Sequence, residues 1–176
     1  MNPQVAIVMG SYSDFPRMES AIAVLRDFDI PCEVRVMSAH RTPDSVSSYA
    51  KKAAASGIKV IIAAAGGAAH LPGVIAAYTV LPVIGVPIAL AEGLGGLDSL
   101  LSIAQMPAGI PVATMSSGPG GPENSALMAI AILAVNDKVL TEMLLTYRRK
   151  MADKVIERDS SLQWKLRANN EEINRQ

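Results

Sequence analysis

The sequence predicts an α/β fold, a three-layer αβα sandwich built on a five-stranded parallel sheet. Three observations point to it. Short β-branched runs alternate with helical segments along the 176 residues, the pattern of βαβ units with right-handed crossovers. Some of those runs are apolar at every position, as in strands covered on both faces. Half of the residues are hydrophobic and 18% are charged, which excludes a disordered chain and gives enough apolar surface for one core. The expected organisation is a single domain over residues 1–158 and a polar tail or helix over 159–176.

Each element has its own signal. Val5 to Met9 is a β-branched run stopped by Gly10, hence a first, doubly covered strand. Asp14 to Phe28 carries Met18, Ala21, Ile22, Leu25 and Phe28 at helical spacing. Ile30 to Val36 alternates and contains Pro31, as expected of a second strand near a sheet edge. Pro43 to Ser56 is a second helix, with Thr42 placed to cap it, Pro43 in its first turn and Gly57 to end it. Val60 to Ala64 and Pro82 to Val86 are the third and fourth strands, and Pro111 to Met115 is the fifth. Asp98 to Gln105 is a short helix, Glu123 to Val135 an Ala-rich one, and Asp137 to about Glu157 a longer amphipathic one. Ser160 to Gln176 is left as a loose helix or tail. Five parallel strands in one domain of this size imply a flavodoxin-like, doubly wound sheet.

The charges are unevenly placed. Lys+Arg and Asp+Glu are both 16, so the net charge is zero and the basic footprint of a nucleic-acid binder is missing. Residues 60–136 carry only Glu92, Asp98 and Glu123, and Val60 to Ala91 carries no charge. Gly66, Gly67, His70, Pro72, Pro82 and Pro87 break that span too often for a membrane helix. A 176-residue monomer has too little interior to hide the whole span, so subunit interfaces are expected to cover part of it. The single cysteine, Cys32, forms no intrachain disulfide and reads as a small core residue of a protein in a reducing cytosol. The first nine residues lack the basic region of a secretory signal.

Ligands in such sheets bind at the carboxyl ends of the strands, and the unusual polar residues fall there repeatedly. Gly10-Ser11-Tyr12-Ser13-Asp14 follows the first strand. Its amides and hydroxyls suit an anion and Asp14 suits ribose hydroxyls, unless Ser13 or Asp14 simply caps the next helix. Ser38-Ala39-His40-Arg41-Thr42-Pro43 follows the second strand. Arg41 offers a bidentate fork for phosphate and His40 exchanges protons near neutral pH, a pairing suited to a phosphorylated substrate beside an acid/base. The competing assignment is a surface ion pair with a capping loop. Gly66-Gly67-Ala68-Ala69-His70-Leu71-Pro72-Gly73 follows the third strand. Its small side chains let amides approach a carboxylate or carbon dioxide, or else serve only tight packing, with His70 held by a backbone carbonyl. Two separated histidines without a cysteine cluster make no metal site, and no nucleophile elbow is present.

These residues carry a resemblance. Gly-Ser-x-Ser-Asp at 10–14, Ser-Ala-His-Arg-Thr-Pro at 38–43 and Ala-Gly-Gly-Ala-Ala-His-Leu-Pro-Gly at 65–73 occur in that order. Leu-Pro-Val-Ile-Gly-Val-Pro at 81–87 and Asp-Ser-Leu-Leu-Ser-Ile-x-Gln-Met-Pro-x-Gly-Ile-Pro-Val at 98–112 follow. Over about residues 4–155 the chain resembles the N5-carboxyaminoimidazole ribonucleotide mutases of purine (IMP) biosynthesis. The resemblance implies a cytoplasmic homo-octamer with sites between subunits. It also implies an isomerase that moves a carboxylate from the exocyclic nitrogen of an aminoimidazole ribonucleotide to ring carbon 4, without ATP, biotin or metal. It further implies that His40 is the proton shuttle, that Ser11, Asp14 and Arg41 bind the ribonucleotide with Ser13 and Ser38 in support, that Ala65, Gly66, Gly67 and His70 line a carbon dioxide pocket, and that Leu71 is among the substrate-binding residues. The segment Ser116 to Asn124 departs from the usual form, with two added prolines and Glu123, and Ala64 stands where Gly is common.

A related branch, AIR carboxylase, takes free carbon dioxide. There the residue after the loop histidine tends to be Lys and the Gly-Gly-Ala-Ala-His segment is replaced. With Arg41 and an intact Gly66 to His70, this chain resembles the mutase branch. A non-enzymatic nucleotide-binding module of the same fold is the other alternative. A receiver-type module needs an acidic cluster at a strand end where this chain has Ala65-Gly66, and a flavin carrier would need more aromatic residues than 4%.

Overall fold

The computed structural model describes residues 2–91 and 93–173, the last seven by backbone alone. The chain divides into two compact units, residues 1–133 and 134–176.

The first unit is organised by five parallel strands: β1 (Val5–Met9), β2 (Cys32–Val36), β3 (Val60–Gly66), β4 (Val83–Ile88) and β5 (Ala113–Thr114). Their order is β2-β1-β3-β4-β5, so the chain steps outward to β2 and then crosses back past β1 to β3. The direction of winding reverses between β1 and β3, the place where doubly wound sheets bind ligands. In register, Val5 pairs with Cys32 on one side and with Val60 on the other, and Ile61 pairs with Val83. The three central strands are apolar and buried almost throughout. β2 stands at an edge, as Pro31 just before it suggests, but its burial falls from half-buried at Cys32 to exposed at Val36 rather than alternating.

Helices α1 (Phe15–Asp27), α2 (Pro43–Ala53), α3 (Leu71–Ala76), α4 (Leu97–Ala104) and α5 (Gly120–Ala134) connect and cover the strands. One core cluster joins Ala6, Val8, Ile61, Ala63 and Ala65 of the sheet to Val46 and Ala50 of α2, Leu71 and Ile75 of α3 and Ile103 of α4. Val5, Ile7 and Met9 alternate with these along β1 and are fully or almost fully buried on its other face.

The structure corrects several sequence expectations. Residues 71–76 form a helix rather than part of a loop. Six residues are too few for a legible periodicity, and Pro72, which suits a first turn, read as a breaker. β3 runs two residues further than expected, so Ala65 and Gly66 pair with Pro87 and Ile88 of β4. β5 is only two residues long and pairs with Ile84 and Gly85 alone. Thr42 occupies the N-cap position of α2 but makes no capping bond; its hydroxyl donates to the Ser38 carbonyl at 3.1 Å and accepts the Ser38 N–H at 2.9 Å. α5 begins at Gly120 rather than Glu123. A Cβ on Gly121 would collide with the Ser116 carbonyl, so the glycine lets the first turn seat itself, and Pro122 suits that turn.

The second unit holds α6 (Lys138–Ile173). Asp137 caps it, accepting the N–H groups of Val139 at 2.9 Å and Leu140 at 3.1 Å. The helix does not end near Glu157. Ser160 and Ser161 turn their hydroxyls back to the carbonyls of Ile156 and Glu157, both at 3.0 Å, and stay inside the helix.

Candidate active site

Three loops at the carboxyl ends of β1, β2 and β3 meet across the winding switch. The first is tied to the sheet where the Gly10 N–H donates to the Ala64 carbonyl at 2.9 Å. Ser11 then caps a single 3₁₀ turn, Tyr12–Asp14. Its backbone N–H donates to Asp14 Oδ2 at 3.1 Å, and its own hydroxyl accepts from the Ser13 hydroxyl at 2.8 Å. Asp14 therefore caps this turn from a buried position. Burial raises its carboxyl above the usual carboxylate range, against the opposing effects of the Ser11 N–H and of Arg17.

The second loop holds Arg41. Its backbone N–H and its Nε both reach Ser38 Oγ, at 3.2 and 3.4 Å, and its Nη2 donates to the Gly10 carbonyl at 3.2 Å. Ser38 and Gly10 thus hold an exposed guanidinium at the seam between the first two loops, with part of its fork free for an anion. Next to it, His40 reaches the third loop: His40 Nε2 lies 2.8 Å from His70 Nδ1, and the two rings meet edge to face with centroids 4.9 Å apart. One of these nitrogens donates the shared hydrogen and the other accepts it. His70 Nδ1 thus meets His40 rather than the backbone carbonyl of the alternative assignment.

The third loop is shaped by glycine. Gly67 adopts φ of +61°, a left-handed conformation. A Cβ on Gly66 would stand 2.8 Å from Leu90 Cδ2 and 2.9 Å from the Ile88 carbonyl, so only glycine passes between the ends of β3 and β4.

These loops enclose a cavity of about 490 Å³, within the range of nucleotide-sized sites. Ser11, Ser13 and Asp14 of the first loop, Ser38, His40 and Arg41 of the second, and Ala65, Gly66, His70 and Leu71 at the third all line it. Of the residues singled out from sequence, only Gly67 is not part of the lining. Gly10, Ala39, Ala68 and Leu90 also line it and were not singled out. The first three could have been found as neighbours within the motifs. Leu90 could have been found by following the fourth strand to its carboxyl end, as was done for the other three. Two larger grooves, of about 680 and 660 Å³, lie along β2 and α2 and around Tyr78 to Pro82. Neither contains a histidine, so chemistry rather than size selects the smaller cavity. Among the described residues no group of three or more His, Cys, Asp or Glu could hold a metal ion, and no helix is long and apolar enough to cross a membrane.

The family model described as AIR carboxylase matches residues 4–154. The N5-carboxyaminoimidazole ribonucleotide mutase of Mycobacterium tuberculosis strain H37Rv is 55% identical over 161 residues, which cover 92% of this chain and 91% of that protein. The mutase of Pyrococcus abyssi is 56% identical over 149 residues, covering 85% and 84%. Among solved structures, Treponema denticola PurE superposes with a TM-score of 0.82 at 32% identity, covering 91% of this chain and 98% of that one.

Proposed function

The chain belongs to the AIR carboxylase family, and we infer that it catalyses the reaction for which its mutase relatives are named. It is an isomerase of purine biosynthesis that converts N5-carboxyaminoimidazole ribonucleotide to 4-carboxy-5-aminoimidazole ribonucleotide. The free-carbon-dioxide alternative is not favoured, since relatives more than half identical across most of the chain are named as mutases.

The observation that carries the site assignment is the pairing of His40 with His70 at 2.8 Å, in one cavity with Arg41 and the Gly66 loop. The chemistry needs a proton twice. The carbamate nitrogen takes a proton, its bond to the carboxyl carbon breaks, and the bonding pair stays on nitrogen as carbon dioxide leaves. Ring carbon 4 then attacks that carbon, and the hydrogen on carbon 4 must depart to restore aromaticity. In this reading His40 gives the first proton and takes back the second, so the cycle closes with no net proton change. His70 orients the His40 ring through the shared hydrogen. Arg41 binds the phosphate with Ser11, Ser13 and Ser38, and Asp14 accepts from ribose hydroxyls. Ala65, Gly66 and His70 hold the carbon dioxide, Gly67 shapes their loop through its left-handed backbone, and Leu71 contacts the substrate. The enzyme works in the cytoplasm as a homo-octamer with sites between subunits.

The test is a comparison of two substrates, the aminoimidazole ribonucleotide with and without its carbamate, at low and high bicarbonate. Turnover of the carbamate without added bicarbonate is expected. Turnover of only the uncarboxylated nucleotide, rising with bicarbonate, would assign the chain to the carboxylase branch instead.

A further inference from the structure

The lining of the cavity is chemically divided. Ser11, Asp14, Ser38 and Arg41 give it polar groups, while Leu71 and Leu90 give it hydrocarbon. Leu90 lies two residues beyond β4. The Gly93 N–H donates back to its carbonyl at 3.2 Å, which turns the chain at this point. Its side chain covers the glycine loop. The Cβ positions that Gly66 and Gly67 lack would fall 2.8 Å from Leu90 Cδ2 and 3.4 Å from Leu90 Cδ1, so the leucine occupies space the two glycines leave open. It is 44% exposed, whereas Leu71 is 2% exposed. Leu71 is thus core, and Leu90 is the rim.

A carbon dioxide molecule between its two bonding partners has no charge and no net dipole, so the amides of the glycine loop hold it only weakly. Its retention depends on walls, and apolar walls exclude the water that would carry it off. We propose that Leu90 is the rim residue that keeps the released carbon dioxide over ring carbon 4, setting how often it recombines rather than escapes. This rests on the mutase reading above. Leu90 touches neither reacting proton, so it acts by confinement while His40 does the proton transfers.

The experiment runs the unlabelled carbamate substrate in ¹³C-bicarbonate with carbonic anhydrase, and reads the ¹³C fraction of the product carboxylate and the uncarboxylated nucleotide released per turnover. Carbon dioxide that escapes and returns brings label. The parent is expected to give little label. Each lost carbon contact is weak, but removing several at once should raise both readings about five- to tenfold in Leu90→Ala. Leu90→Met, which restores apolar volume, should return close to the parent, and Leu90→Val should fall between. The Val variant carries the test if the Ala variant does not fold. A purely structural role would lower the rate without moving the label fraction. A label fraction equal to the parent's in the Ala or Val variant, or a parent product already fully labelled, overturns the proposal. A parent that does not isomerise the carbamate at all overturns the mutase reading itself.

Discussion

Arg41 and Asp14 show how much the site depends on single atoms. Arg41 spends part of its fork on Ser38 Oγ and the Gly10 carbonyl, so what it offers a phosphate is positioned by those two bonds. Arg41→Lys keeps the charge and loses the planar fork. It is expected to weaken nucleotide binding by about 1.5–3 kcal/mol with little change in thermal stability, and an unchanged KM for the nucleotide would contradict the assignment. Asp14 is buried and its carboxyl is raised from the usual 3.8, chiefly by burial. A carboxyl raised in the folded state contributes most below 3.8, and that contribution is lost as pH rises through its folded value. Asp14→Asn keeps an acceptor for the Ser11 N–H without the buried charge. The variant is expected to melt no lower than the parent at pH 7 and to lose that advantage on acidification. Thermal melts across this range check it, and a variant markedly less stable at pH 7 would show that the charge itself holds the turn. The sequence singled out both residues from motif chemistry, but it could not show that Asp14 serves as the cap of its own loop. That depends on a 3₁₀ turn with no sequence period of its own.

At the scale of elements, the strands were legible because an unbroken apolar run has few other uses. Val5 to Met9 begins and ends where its β-branched and apolar residues do. What stayed illegible was decided by contacts distant in sequence or by residues with two uses. The extension of β3 through Gly66 depends on pairing with β4. The persistence of α6 past Ser160 depends on hydroxyls that can either end a helix or bond back into it. The start of α5 depends on how closely Gly121 approaches the Ser116 carbonyl. Gly121→Ala forces that contact and is expected to cost about 1–3 kcal/mol, read as a lower midpoint in denaturant with an unchanged slope. Asp137→Ala removes the cap of α6 and is expected to cost about 1 kcal/mol. A loss of helical signal by circular dichroism before the main transition would locate that cost in α6, and an unchanged melt would show that the cap contributes nothing.

For the whole molecule, the uncharged stretch is only partly explained by one subunit. β3 and β4 are buried within the sheet, yet outside the cavity Val80, Leu94, Leu97 and Leu101 of the charge-poor span are exposed. Apolar side chains this close together in sequence are normally covered by another surface. An assembly larger than a dimer is expected in solution, and light scattering near the single-chain mass of 18.5 kDa at micromolar concentration would contradict it.

One histidine serving two proton transfers is the centre of the proposed chemistry, and the most direct measurement of it is the turnover of His40→Asn beside its nucleotide binding. Asn keeps one hydrogen-bonding edge at the position of the ring Nδ1 and gives up the Nε2 contact with His70. The loop before Pro43 is held by the bonds between Ser38 and Thr42 and should keep its shape. Asn carries no proton at neutral pH. General acid–base assistance is commonly worth about 10²–10⁴ in rate, and with both steps dependent on it the loss should reach the upper end while calorimetry shows the nucleotide still bound. A variant that keeps more than about a tenth of the parent rate would contradict the proton-shuttle assignment.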